Sequence, residues 1–270
     1  YIAHNFHMAA YGAILGGMEA KGTEIAKQLN TYINEATLAK HPTLGSYLET
    51  YAATEVHILI RFGRWKKLLE IEVPNDKNLM LYRTASIRFG RALAYAQLGN
   101  LAEARKEMDR FESFKNHPEA HTRILHNNTV FQLLLVDIAM LRGEVLYREG
   151  KHEAGLEYLR KAVTLQDNLN YDEPWGKMQP IRHALGGLLL EQNHVSEATE
   201  VFRADLKLHP KNPWALVGLI RCLQLSAECS CASELAELKD QLKQQRQQRW
   251  ADFPVKVPCE CCTKNKDEQC

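Results

Sequence analysis

Residues 179–212, QPIRHALGGLLLEQNHVSEATEVFRADLKLHPKN, decide the fold. Gly186 and Ala198 are small enough to let two helices approach closely. Leu189 and Phe202 fill the space between them, and Pro210 stops the second helix. The stretch therefore reads as one antiparallel helical hairpin. The same pattern recurs outward from it. Gly143, Leu146, Gly150, Gly155, Leu159 and Ala162 mark a unit at 136–169, and Ala92, Tyr95, Gly99 and Ala104 mark one at 85–118. Gly63 and Leu68 place another at 49–82, and Gly17, Gly22 and Ala26 one at 3–36. A sixth hairpin begins at Pro213-Trp214 and ends in 235–248. Period-two alternation is absent throughout, so no sheet is expected.

The marks in 179–212 and 136–169 resemble the 34-residue tetratricopeptide pattern, and the resemblance extends over nearly the whole chain. It implies an all-α fold: an α-solenoid of about six helical hairpins over 1–248, followed by a cysteine-containing, non-helical tail at 249–270. First helices are expected at 3–16, 50–62, 85–98, 120–149 and 179–192. In the fourth, the extra residues 119–136 extend the helix backwards, which sets His126 on the same face as Glu144 but ~27 Å away. A long connection at 168–178 interrupts the period.

The fifth hairpin narrows the resemblance. Tyr171-Asp172-Glu173-Pro174-Trp175-Gly176, Met178-Gln179-Pro180, Arg182-His183-Ala184-Leu185-Gly186, Arg203-Ala204-Asp205-Leu206 and Pro210 look like a tetratricopeptide subfamily whose members also carry His-Asn-x-His in the first hairpin. Here that motif is His4-Asn5-Phe6-His7. The resemblance implies a fold and a shared site, and no reaction. Lys177 stands where the subfamily has an aromatic, which leaves Trp175 to supply any stacking.

Tetratricopeptide geometry turns positions 2, 5, 9, 12 and 13 of each first helix to the inner face. With the inter-helix glycine as position 15, those positions hold His4, His7 and Tyr11, then His57 and Arg61, then Asp137, Glu144, Tyr147 and Arg148, then His183, then Arg221. The leading expectation is a binding module whose groove holds a protein segment or small ligand through Tyr11, Arg61, Tyr147, Arg148 and Arg221. Glu144 and Arg182, with Asp172, Glu173 and Trp175 of the long connection, complete the expected ligand-binding set.

The alternative is a metal-binding protein or metalloenzyme. His4 and His7 are neighbours at i and i+3 on one helix, so two imidazoles can share an ion. His57 on the adjacent first helix is the natural third ligand, with Glu144, Glu173 or His183 completing the site. Cys259 and Cys261 in the tail suit a soft ion such as zinc or copper. Trp250, Phe253 and Val255 are too apolar for a free end, so the tail is expected to pack on the hairpins.

Composition narrows the partners. The chain is 45% apolar and 25% charged, and its 34 Lys+Arg against 33 Asp+Glu leave a net charge of +1, so no excess points to nucleic acid. The most apolar stretch, Val130 to Leu141, is too short for a membrane span. None of the seven cysteines precedes Cys222, a spread unlike a disulfide framework, so a reducing, cytoplasmic setting is expected. The chain opens on Tyr1 inside a helical pattern, which reads as a piece of a longer protein whose N-terminal signals are not visible. No Ser-His-Asp order, phosphate-cradling loop or dinucleotide fingerprint is present. Oligomeric state is not legible.

Overall fold

A computed structural model describes residues 1–226, 232–248 and 250–260. The fold is all-α and divides into two compact units, one of residues 1–14 with 19–179 and one of residues 15–18 with 180 onward.

The first unit stacks four hairpins. α1 (Ile2–Gly16) pairs with α2 (Glu19–Tyr32), and α5 (Thr54–Arg61), entered through a 3₁₀ turn at Glu49–Ala53, pairs with α6 (Trp65–Glu70). Two short helices that the repeat marks did not foretell, α3 (Glu35–Ala39) and α4 (Pro42–Leu48), fill the gap between these hairpins. α7 (Leu81–Gln97) pairs with α8 (Leu101–Glu112), and α9 (Val130–Arg148) with α10 (His152–Asp167). Each hairpin turns on a glycine with positive φ: Gly17 (67°), Gly63 (64°), Gly99 (81°) and Gly150 (83°). This conformation costs glycine least, because it has no Cβ to clash. α9 and α10 approach so closely that a Cβ on Gly155 would lie 2.8 Å from the carbonyl oxygen of Gly143.

One sequence expectation fails here. The fourth hairpin's first helix does not reach back to 120. Pro118–His121 is a 3₁₀ turn, and Ile124–Leu125 pairs antiparallel with Asn128–Thr129, a two-residue ladder where no sheet was expected. Two local features stop the helix. Thr129 and Gln132 form a reciprocal capping box that starts it at Val130. His126, at φ 53°, takes a left-handed conformation that no helix accommodates. His126 therefore does not share a helix with Glu144.

The second unit contains α11 (Ile181–Glu191), α12 (Val195–Leu208), α13 (Pro213–Leu225) and α14 (Ala232–Arg246). Asn193, at φ 59°, takes the place of the turn glycine between α11 and α12. Phe202 of α12 wedges between α11 and α13, where Gly186 and Gly218 leave room for its ring. After α14 the chain returns: Phe253 stacks on Trp214 at 5.7 Å between ring centroids, its amide donates to the Gly17 carbonyl at 3.0 Å, and Val255 is buried over Gly17. Trp250 remains 54% exposed.

Candidate functional site

Within the first unit, the face that the repeat register turns inward is already covered. Residues 168–179 run across it, so Lys177, Met178 and Gln179 are buried. Lys177 Nζ lies 2.5 Å from Oδ1 of Asp137 on α9 and 5.8 Å from the ring centroid of Phe89 on α7. Gln179 Nε2 donates to the main-chain oxygen of His57 on α5 at 2.6 Å. Three consecutive first helices thus contribute to one subsite for an alkylammonium: a carboxylate, an aromatic face and an imidazole. Burial pushes the Asp137 carboxyl up, against the pull of Lys177. Burial first, then Lys177 and His7, hold His57 well below the ordinary imidazole range, so its ring is neutral at pH 7. Its Nδ1 has no hydrogen-bond partner.

The covering segment is fastened at its start. Asp172 accepts from the Asn127 amide at 2.9 Å and from Asn128 Nδ2 at 2.5 Å, while Asn128 Oδ1 accepts from the Asn170 amide at 2.8 Å. These bonds also fix the tight turn that presents His126. Arg123 fastens that turn from its other side, donating to Glu49 Oε1 at 3.1 Å and to the carbonyls of Leu79 (3.0 Å) and Asn78 (2.5 Å). Glu49 in turn accepts from the amides of Tyr82 and Arg83 at the start of α7. Burial raises the Glu49 carboxyl to about 7 despite these donors.

The same turn carries His126 to α1. Its Nε2 is 3.3 Å from Nδ1 of His7, the two rings stack at 5.4 Å between centroids, and His4 meets His126 edge-on at 5.4 Å. Tyr51 stands edge-on to both His7 and His126. Its hydroxyl is 2.7 Å from that of Tyr47. Burial, followed by His126 and His4, lowers His7 to about 3; burial and His4 lower His126. An open pocket of about 320 Å³, lined by Tyr1, Ala3, His4, Tyr47, Leu48 and Tyr51, leads to this cluster. Among the described residues, no three His, Cys, Asp or Glu side chains converge as a ready-made metal centre.

The expected site residues are distributed as follows. Tyr11, Arg61, Glu144, Tyr147 and Asp172 are buried, and in this conformation none is open to a ligand. Arg148, Trp175 and Arg182 are half-buried; Glu173 and Arg221 are exposed. His4 and His7 come together, but their neighbour is His126. His57 instead adjoins the Lys177 subsite. In the second unit, His183 Nε2 is 2.7 Å from Asp205 Oδ2, which also accepts from Asn212 Nδ2 at 3.0 Å, while His209 approaches Oδ1 at 3.1 Å. Cys259 is buried and disulfide-bonded, so it offers no thiolate in this state, and Cys261 lies outside the described residues. Sequence reasoning left His126, Tyr47, Tyr51, Phe89 and Lys177 out of the site. For Asp137 the signal was its inward position; for Lys177 it was the departure from an aromatic.

Antiparallel helical hairpins with small residues at their crossings and an inward polar face define a helical-repeat protein. Residues 76–121 and 136–169 match models of the tetratricopeptide repeat family, which makes these two hairpins tetratricopeptide repeats. The first match carries α7 and α8, the second α9 and α10. Comparison with curated proteins and with solved structures found no match. Among the described residues, no helix is long and apolar enough to cross a membrane.

Proposed function

We propose that this chain is a protein-binding repeat module whose inward face, in the first unit, accepts an extended segment bearing a lysine side chain. Tetratricopeptide repeats are protein-interaction modules in general, and one observation carries the finer reading. The face is already occupied by a non-helical segment of the chain itself, with Lys177 seated between Asp137 and Phe89. A face that holds Lys177 and Gln179 by an ion pair and a main-chain carbonyl supplies the contacts by which a groove holds a foreign peptide. Arg61, one of the side chains expected to hold a ligand, is buried, whereas Asp137 faces the occupant, which favours recognition of a cation.

Selecting a library of linear peptides on the 270-residue chain and on its Lys177→Gly variant tests this reading. The variant should enrich lysine-bearing segments, and adding Asp137→Asn to it should abolish that enrichment. Equal enrichment by the double variant, or none by Lys177→Gly while its helical circular dichroism is retained, would overturn the proposal.

A further inference from the structure

The sequence places His4 and His7 on one helix and gives no reason to bring His126 to them. The fold does so with a left-handed turn, and the resulting geometry carries an implication of its own. Two imidazole nitrogens bound at about 2.0–2.1 Å to one tetrahedral ion lie roughly 3.3 Å apart. His7 Nδ1 and His126 Nε2 are separated by 3.3 Å.

We propose that His4, His7 and His126 form a binding site for a divalent transition ion of the zinc type, closed by a side-chain rotation of His4 toward the His7–His126 pair. With the rings as they stand, His7 Nδ1 and His126 Nε2 face each other at hydrogen-bond distance, and His4 lies edge-on to His126 at 5.4 Å. His4 is the member with freedom to turn: it is only half-buried and lines the open pocket. The other two are held. His7 is buried against Tyr51, and the turn that presents His126 is fastened by the bond from the Asn127 amide to Asp172. Such outer contacts fix the orientation of imidazole ligands before an ion arrives. Three nitrogen donors leave a fourth coordination position, and the pocket leads to it from solvent, so water or a small oxygen ligand can reach the ion there. The donor set, imidazole nitrogen with phenolic oxygen nearby, suits zinc, cobalt or copper and is poor for calcium or magnesium.

The test is titration of the full chain with Co(II), followed by visible absorption and then by displacement with Zn(II). One equivalent should bind, with the spectrum of a low-coordinate imidazole site, and Zn(II) should bleach it. His126→Asn keeps a residue that tolerates positive φ, and His4→Gln alters a half-buried side chain. Each should weaken Co(II) binding at least tenfold, while the exposed His194→Gln in the second unit should leave it unchanged. Wild-type Co(II) should raise the thermal midpoint, and His126→Asn should lose that rise. Absence of saturable binding at one equivalent, or wild-type affinity retained by both His126→Asn and His4→Gln, would overturn the site.

Discussion

Lys177 Nζ lies 2.5 Å from Asp137 Oδ1, and both side chains are sealed from solvent. Removing one partner strands the other charge in a medium that solvates it poorly. Asp137→Asn should therefore cost about 3–5 kcal/mol, whereas replacing the pair together, Asp137→Leu with Lys177→Met, should be near neutral or stabilising. Urea unfolding of the three variants checks both statements. A double variant as unstable as the single one would show that the pair is not acting as a unit.

Arg123 serves as a rivet for the turn that presents His126. It reaches Glu49, Leu79 and Asn78 at once, and Glu49 is fully buried beneath it. Arg123→Met should destabilise the chain by about 3–5 kcal/mol, because it leaves a buried carboxyl with its charge partner gone. The companion substitution Glu49→Gln should recover part of that loss. Amide hydrogen exchange should show the loss at 118–129 before it reaches α9.

In the second unit, His183 and then His209 hold the Asp205 carboxyl far below its ordinary 3.8, although burial alone would raise it. A depressed carboxylate contributes stability that is fully present above the unfolded value, declines as pH falls below it, and is gone only once pH has fallen through the folded value. Asp205→Asn should thus be clearly less stable than wild type at pH 7, and the gap should shrink as pH drops below 3.8. Thermal midpoints of both proteins across that range give the answer. A gap that stays constant with pH would contradict it.

Gly186 on α11 and Gly218 on α13 both abut the tip of the Phe202 ring. A Cβ at Gly186 would sit 2.5 Å from Phe202. Gly186→Ala should cost about 1–3 kcal/mol by overpacking, and Phe202→Leu added to it should restore part of the loss. Thermal melts of the single and double variants measure this.

The hairpins were legible because their determinants are local. Glycine at 17, 63, 99 and 150 stands where the backbone needs positive φ, and Gly143 and Gly155 stand where two helices nearly touch. The turn at 126–127 was not legible, because a histidine rather than a glycine takes the left-handed conformation there. The groups that fasten it, Asn170 and Asp172, lie more than forty positions away. The repeat register indicates the direction in which His57, Asp137 and Glu144 point, but not what meets them. That depends on residues 168–179 folding back across three helices, an event with no periodic signal. Register likewise cannot separate a side chain facing a solvent-filled groove from one such as His183, which closes a buried network with Asp205.

Because residues 170–179 are part of the chain they cover, dilution never bares the face beneath them. A tethered occupant competes at an effective concentration on the order of 1 mM. A free segment with the same intrinsic Kd of about 1 µM would then show an apparent Kd of roughly 1 mM on the intact chain. Feeble binding by wild type therefore measures the tether rather than the complementarity of the surface. The quantity to compare between ligands is their affinity once the tether has been cut or its lysine removed.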